Sequence, residues 1–132
     1  MGHRLKFTDL LAVFIGGFLG GIVRYEIGQL LHDGTSLLGT TTVNVVGSFL
    51  LAFITYGVVI YMDVPNWLIV GLGTGFIGAF TTFSTLVLNL LQNVQDRPVY
   101  AIIIFMLNLM LGLLTAASGY AAALALGRRR QA

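Results

Sequence analysis

Four long apolar stretches fill this chain almost from end to end: Leu10 to Leu31, Leu37 to Met62, Trp67 to Leu91 and Val99 to Leu126. A run of roughly twenty apolar residues crosses a bilayer as a helix, with some tilt where the run is longer. Backbone N–H and C=O groups find no water in hydrocarbon, and a helix satisfies them within its own segment. The separators are short and carry breakers: His32-Asp33-Gly34, Asp63-Val64-Pro65-Asn66 and Gln95-Asp96-Arg97-Pro98. The expectation is an all-α membrane protein, multi-pass in the cell membrane. It has four transmembrane helices near residues 8–32, 36–62, 67–93 and 98–126, and 1–132 forms one transmembrane domain.

Composition agrees. Charged residues are 9% of the chain, against about a quarter in a soluble domain. The absence of cysteine removes disulfide scaffolds and thiolate chemistry. The net charge of +2 comes from terminal clusters rather than a basic face, so nucleic acid is not expected as a partner. A cleavable signal peptide is not expected either, because the run after Arg4 and Lys6 continues into Arg24-Tyr25-Glu26 without a small-residue cleavage site. Gly2 lacks the Ser or Thr four residues on that myristoylation needs. With four spans both termini share a side, which holds Arg4, Lys6, Arg128, Arg129 and Arg130; Arg24 and Arg97 lie toward the other. The positive-inside rule places the termini in the cytoplasm. No catalytic constellation is present: His3 and His32 stand apart, and Asp9, Glu26, Asp33, Asp63 and Asp96 lie near segment ends. The chain is not expected to be an enzyme.

Small and polar residues are patterned inside the spans. Gly16-Gly17 and Gly20-Gly21 form two interleaved small-xxx-small pairs, and Gly112, Ala116 and Gly119 repeat the device in helix four. Such pairs let backbones approach closely in lipid. Packing within the chain accounts for them, and their number also points to a partner subunit. Thr40, Asn44 and Ser48 share a face of helix two by their four-residue spacing. A mid-span amide must face protein or a water-filled cavity; an interhelical hydrogen bond and a polar lining both satisfy that. Asn108 is a second such amide, in helix four. Helix three carries Gly71, Gly73, Gly75 and Gly78 followed by Thr81, Thr82, Ser84 and Thr85. This is the composition of a locally broken membrane helix, whose freed carbonyls can coordinate a cation. Gly73 to Gly78 also matches G-x-G-x-x-G, but the spans lack the polar helix faces of a dinucleotide-binding unit.

Three segments together, Gly16 to Tyr25, Gly39 to Phe49 and Gly73 to Thr85, resemble the fluoride channels of the Fluc/CrcB family in order, spacing and chain length. The resemblance implies a four-helix subunit with helix three broken mid-membrane, assembled as an antiparallel dimer with two narrow fluoride pathways. It implies a Na+ ion on the dimer axis, held by the backbone carbonyls of Gly78 and Thr81. It also implies a pathway of residues matched one by one. Phe83 would turn its ring edge to the anion. Asn44 would be a donor, Ser84 and Thr85 a hydroxyl track, and Arg24 a vestibule charge that concentrates anions. Asn108 would be further lining, and Thr40 joins the expected pathway through the polar face it shares with Asn44 and Ser48. Two positions depart from the family pattern: Leu86 stands where the second aromatic belongs, and Asn89 replaces an acidic residue.

The function expected is passive, fluoride-selective export from the cytoplasm, with a dimer partner that is either a second copy or an oppositely oriented paralogue. The five-against-two charge bias favours a fixed orientation, hence the paralogue. Two alternatives stand beside it. A small multidrug-type exporter would need an embedded glutamate, for which Glu26 is the candidate. The other alternative is a non-conducting accessory subunit.

Overall fold

A computed structural model describes residues 4–32 and 37–132. His3, the breakers Asp33 and Gly34 and the expected start of the second helix at 36 lie outside the described residues. Among those described, four helices are long and apolar enough to cross a membrane: Phe7–Leu30, Leu38–Tyr61, Asn66–Asn93 and Pro98–Gln131, here the first to fourth spans. No strand occurs among the described residues. The all-helical, four-span architecture is the one the apolar runs predict.

The helix ends follow local chemistry. At the start of the first span the Asp9 carboxylate accepts the Lys6 backbone N–H at 3.2 Å, meeting one of the donors that a helix N-terminus leaves unpaired. Pro98 occupies the first turn of the fourth span, where its missing N–H costs nothing. That span runs on to Gln131, past the last apolar residues, with Arg128, Arg129 and Arg130 in its final turn. Cations there complement the negative end of the helix dipole. Arg130 also donates to the Tyr61 carbonyl at 3.3 Å, which fastens the end of the fourth span to the end of the second.

Two pairings make the bundle: the first span lies along the N-terminal half of the third, and the second along the fourth. In the first pairing the backbones touch. A Cβ on Gly16 would land on the Gly71 carbonyl, and one on Gly20 on the Phe76 carbonyl. A Cβ on Gly75 would sit 2.7 Å from the Val13 carbonyl oxygen. Opposite these glycines the third span widens into π-helical turns over Gly71–Ile77, a form that often marks functional segments. One interleaved glycine pair is therefore used within the chain. The other is looser, for Gly21 has nothing within 4 Å of its would-be Cβ. In the second pairing Gly119 meets the Phe49 carbonyl, and Gly57 leaves 3.1 Å to the Ala123 methyl.

Beneath the C-terminal half of the third span, Leu37, Leu86 and Ile104 form a buried cluster flanked by Leu90, Tyr100 and Phe105. Leu37 takes a left-handed backbone with φ 58°, a conformation costing an L-residue about 1–2 kcal/mol, and its burial to 1% exposure offsets that cost. Large apolar side chains such as Phe14 (72% exposed) and Leu113 (70%) point outward, as lipid-facing residues do.

The glycine contacts predict a graded response. Gly20→Val would drive methyl groups into the Phe76 carbonyl and lower stability by about 1–3 kcal/mol or more, the usual cost of overpacking. Gly21→Val would leave it nearly unchanged. Thermal unfolding of the detergent-solubilised variants, followed by size-exclusion chromatography, checks the difference.

Candidate functional site at the interrupted third span

The helical hydrogen-bond pattern of the third span stops at Phe80 and resumes at Ser84. Thr81, with φ −85° and ψ 155°, is extended. Such a gap leaves backbone donors and acceptors without helical partners, and the second span supplies them. Asn44 Nδ2 donates to the Thr82 carbonyl at 2.9 Å, and the Thr82 N–H donates to Asn44 Oδ1 at 2.8 Å. The amide thus meets both backbone groups of Thr82, much as a neighbouring strand would.

From Asn44 the network continues into the fourth span. Its Nδ2 also donates to Asn108 Oδ1 at 3.3 Å. Asn108 Nδ2 in turn donates to Thr41 Oγ1 at 2.8 Å and to the Ile104 carbonyl at 2.9 Å. Thr41 Oγ1 donates to the Leu37 carbonyl at 3.0 Å. A primary amide has two N–H donors, and both are used on each asparagine. Among the described residues no buried side-chain nitrogen or oxygen lacks a partner.

Thr82 then starts the next helix. Its Oγ1 accepts the Thr85 N–H at 3.1 Å and donates to Thr85 Oγ1 at 3.0 Å. A threonine hydroxyl meeting the N–H three residues on is the geometry of an N-cap. Ser84 Oγ lies 3.4 Å from the same hydroxyl. On the other side of the gap, Thr81 Oγ1 donates back to the Ile77 carbonyl at 2.9 Å and finishes the preceding turn. Beside the gap is an open groove of about 250 Å³ lined by Asn44, Gly47, Ser48, Leu51, Ile77, Thr81, Thr82 and Phe83. It depends on Gly47, because a Cβ there would strike the Thr81 methyl.

The sequence-derived candidates fall into two groups in the fold. Asn44, Ser84, Thr85 and Asn108 share one connected network, and Phe83, 68% exposed, stands at the rim of the groove. Thr40 is buried to 2%, yet the hydroxyl that meets Asn108 belongs to Thr41. Arg24 is half-buried on the first span, and neither the groove nor the hydrogen bonds of the network include it. Gly78 is exposed and opens the short turn before the gap, while Thr81 is half-buried within it. Among the described residues no group of three or more His, Asp or Glu is placed to hold a metal. A cation here would have to take carbonyl and hydroxyl oxygens, the ligands of a hard ion. Leu86 sits one turn from Phe83 but turns inward, 2% exposed against Leu37 and Ile104.

Sequence reasoning missed Thr82 and Thr41 as the hubs. Thr82 left a usable signal, a hydroxyl three residues before Thr85 at the foot of a new apolar run. Thr41 left none, being flanked by Thr40 and Thr42 with nothing local to choose among them.

Comparison with known proteins points one way. The family model for CrcB-like protein, camphor resistance (CrcB), matches residues 11–120. The chain is 40% identical over 128 residues to "Fluoride-specific ion channel FluC 2" of Ligilactobacillus salivarius, covering 96% of this chain and 93% of that protein. It is 38% identical over 130 residues to "Fluoride-specific ion channel FluC 1" of Lactobacillus johnsonii, covering 98% and 96%. Against "Fluoride-specific ion channel FluC" of Thermosipho melanesiensis it is 34% identical over 113 residues, covering 83% and 90%.

The network predicts that Asn44→Asp is nearly as damaging as Asn44→Ala. A carboxylate still accepts the Thr82 N–H but cannot donate to the Thr82 carbonyl or to Asn108, and each buried group left unpaired costs about 1–3 kcal/mol. Thr82→Val, which removes the cap, costs about 1 kcal/mol, and Thr82→Ser is tolerated. Hydrogen exchange at the 82–85 amides reads all four: protection falls in Asn44→Asp, Asn44→Ala and Thr82→Val, and holds in Thr82→Ser.

Proposed function

The chain belongs to the CrcB family, and on that footing we propose that it is a subunit of a fluoride-selective channel letting F⁻ leave the cytoplasm passively. HF is a weak acid that crosses membranes and dissociates in a more alkaline cytoplasm, so the trapped anion needs only an open path. The observation that carries this reading is the amide and hydroxyl network at an interrupted helix, in a chain otherwise built of apolar residues. A small, strongly hydrated anion exchanges water for donors. Ser84 and Thr85 supply rotatable hydroxyls beside the Phe83 ring, whose edge is the positive part of its quadrupole. Thr40 and Asn108 stand buried behind this lining, where Asn108 accepts from Asn44. Asn44 serves it by holding the gap open and fixing Thr82, since its own N–H groups are engaged. Arg24 concentrates anions at the mouth.

The assembly proposed is an antiparallel dimer with Na+ on its axis, bound by the carbonyls of Gly78 and Thr81. Supporting it, the groove beside the gap opens outward, and Gly73 has nothing within 4 Å of a would-be Cβ, so this face accepts another backbone. Leu86 favours a particular partner. The position of the second aromatic is filled by a side chain packed into the subunit's own core, so an oppositely oriented paralogue would supply the intact aromatic pair. An accessory role in such a pair is the second reading. The exporter reading has little support, because Glu26 is exposed near the end of the first span.

Liposomes holding this chain alone, read with fluoride and chloride electrodes, test the proposal. Release by this chain alone would show that Leu86 does not abolish conduction. With an oppositely oriented paralogue co-reconstituted, rapid F⁻ release without Cl⁻ release is expected, and Asn44→Ala slows it about tenfold or more, a change equivalent to ~1.4 kcal/mol in barrier. Silence that persists after co-reconstitution with an oppositely oriented paralogue would sink the channel reading. Topology reporters at the C-terminus are expected to show one orientation; equal amounts of both would exclude the fixed-orientation pair.

A further inference from the structure

Two cavities adjoin where the first and third spans begin. The upper one, about 210 Å³, is lined by Arg4, Lys6, Thr8, Asp9, Asn66 and Trp67 together with Pro65. The lower one, about 420 Å³, is an apolar furrow between Thr8, Ala12 and Leu19 of the first span and Trp67, Leu72 and Phe76 of the third. They share Thr8 and Trp67 as a common wall. The furrow exists because Ala12, Gly16 and Gly71 present almost no side chain along its floor.

We infer that this pair of cavities binds one anionic phospholipid, its phosphate in the upper cavity and one acyl chain in the furrow. Three observations converge on that occupant. The charge is complementary: Arg4 and Lys6 face one carboxylate, Asp9, which is already engaged by the Lys6 N–H at 3.2 Å. The residue types suit a phosphodiester: Arg4, Lys6, Thr8, Asn66 and Trp67, each carrying a side-chain donor, line one space. The depth also fits. Thr8 to Leu19 spans about 16 Å at 1.5 Å per residue, close to one leaflet of a hydrocarbon core about 30 Å thick. A second protein helix would fill the furrow but leave the cationic end without a partner. The site is independent of the fluoride pathway, which lies on the other half of the third span.

Trp67 is the chain's single tryptophan and stands in the shared wall, so its fluorescence reports the site directly. The protein is placed in nanodiscs of phosphatidylcholine and phosphatidylglycerol at equal fraction, with dibrominated acyl chains on one lipid at a time. Brominated phosphatidylglycerol is expected to quench Trp67 as though enriched about fivefold, the order set by the one net cation that Arg4 and Lys6 leave over Asp9, at about 1 kcal/mol. Arg4→Gln with Lys6→Gln makes the two lipids equal, whereas Arg128→Gln with Arg129→Gln keeps the preference. Equal quenching by both lipids in the unaltered protein overturns the proposal. So does equal loss in the Arg128 and Arg129 variant, which means diffuse surface charge, and so does weak quenching by either lipid, which means a second copy covers the furrow. Native mass spectrometry of the unaltered protein gives a readout free of any variant: phosphatidylglycerol retained in excess supports the site, and no excess overturns it.

Discussion

The pairing of the Asn44 amide with the backbone of Thr82 is the interaction on which the rest of the site depends. In hydrocarbon an unpaired backbone group costs several kcal/mol, so a helix can stop inside a span only where protein replaces the missing partners. Asn44 replaces two with one side chain. Because its remaining N–H reaches Asn108, the gap is tied to the second and fourth spans at once. A polar residue of the second span thereby decides the backbone path of the third.

That tie needs a closely packed frame, and the glycine contacts supply it. Gly16, Gly20, Gly71 and Gly75 bring the first span against the π-helical half of the third at backbone distance. In lipid, close packing rather than hydrophobicity holds helices together, and here side-chain rotamers hardly enter the contact. The N-terminal half of the third span is seated on one neighbour at backbone contact, and its C-terminal half is joined by hydrogen bonds and by the Leu37–Leu86–Ile104 cluster to two others. The gap lies at the junction between these two attachments.

Much of this was legible in the sequence because the membrane leaves so few choices. Four apolar runs separated by breakers admit few folds besides four helices, and Gly-rich and hydroxyl-rich composition singled out the third. What the sequence could not specify was which polar group meets which. Thr40, Asn44 and Ser48 share a face by spacing, yet Thr41 holds Asn108, because partner choice depends on how the fourth span is rotated. That rotation is set by contacts such as Gly119 on Phe49, far away along the chain. Thr82 was passed over for a similar reason. Its importance lies in its backbone, and backbone groups are the same at every position of a sequence. Only a three-dimensional gap makes one residue's N–H and C=O special.

Leu86 links the packing of this subunit to its proposed pathway. Phe83 and Leu86 are one helical turn apart, and in a single straight helix they would lie on roughly the same face. Here Phe83 opens the helix that Thr82 caps, its carbonyl accepting the Val87 N–H at 3.0 Å, and it stands 68% exposed at the groove rim, while Leu86, one turn deeper, points into the core at 2%. A side chain in that core must fit against Leu37, whose left-handed backbone leaves little freedom to retreat. Exchanging Leu86 for a larger ring would therefore press on Leu37 and Ile104 before it could reach the groove. The departure at position 86 is built into this chain's own packing, and an aromatic pair in the proposed pathway would need its second ring from another subunit.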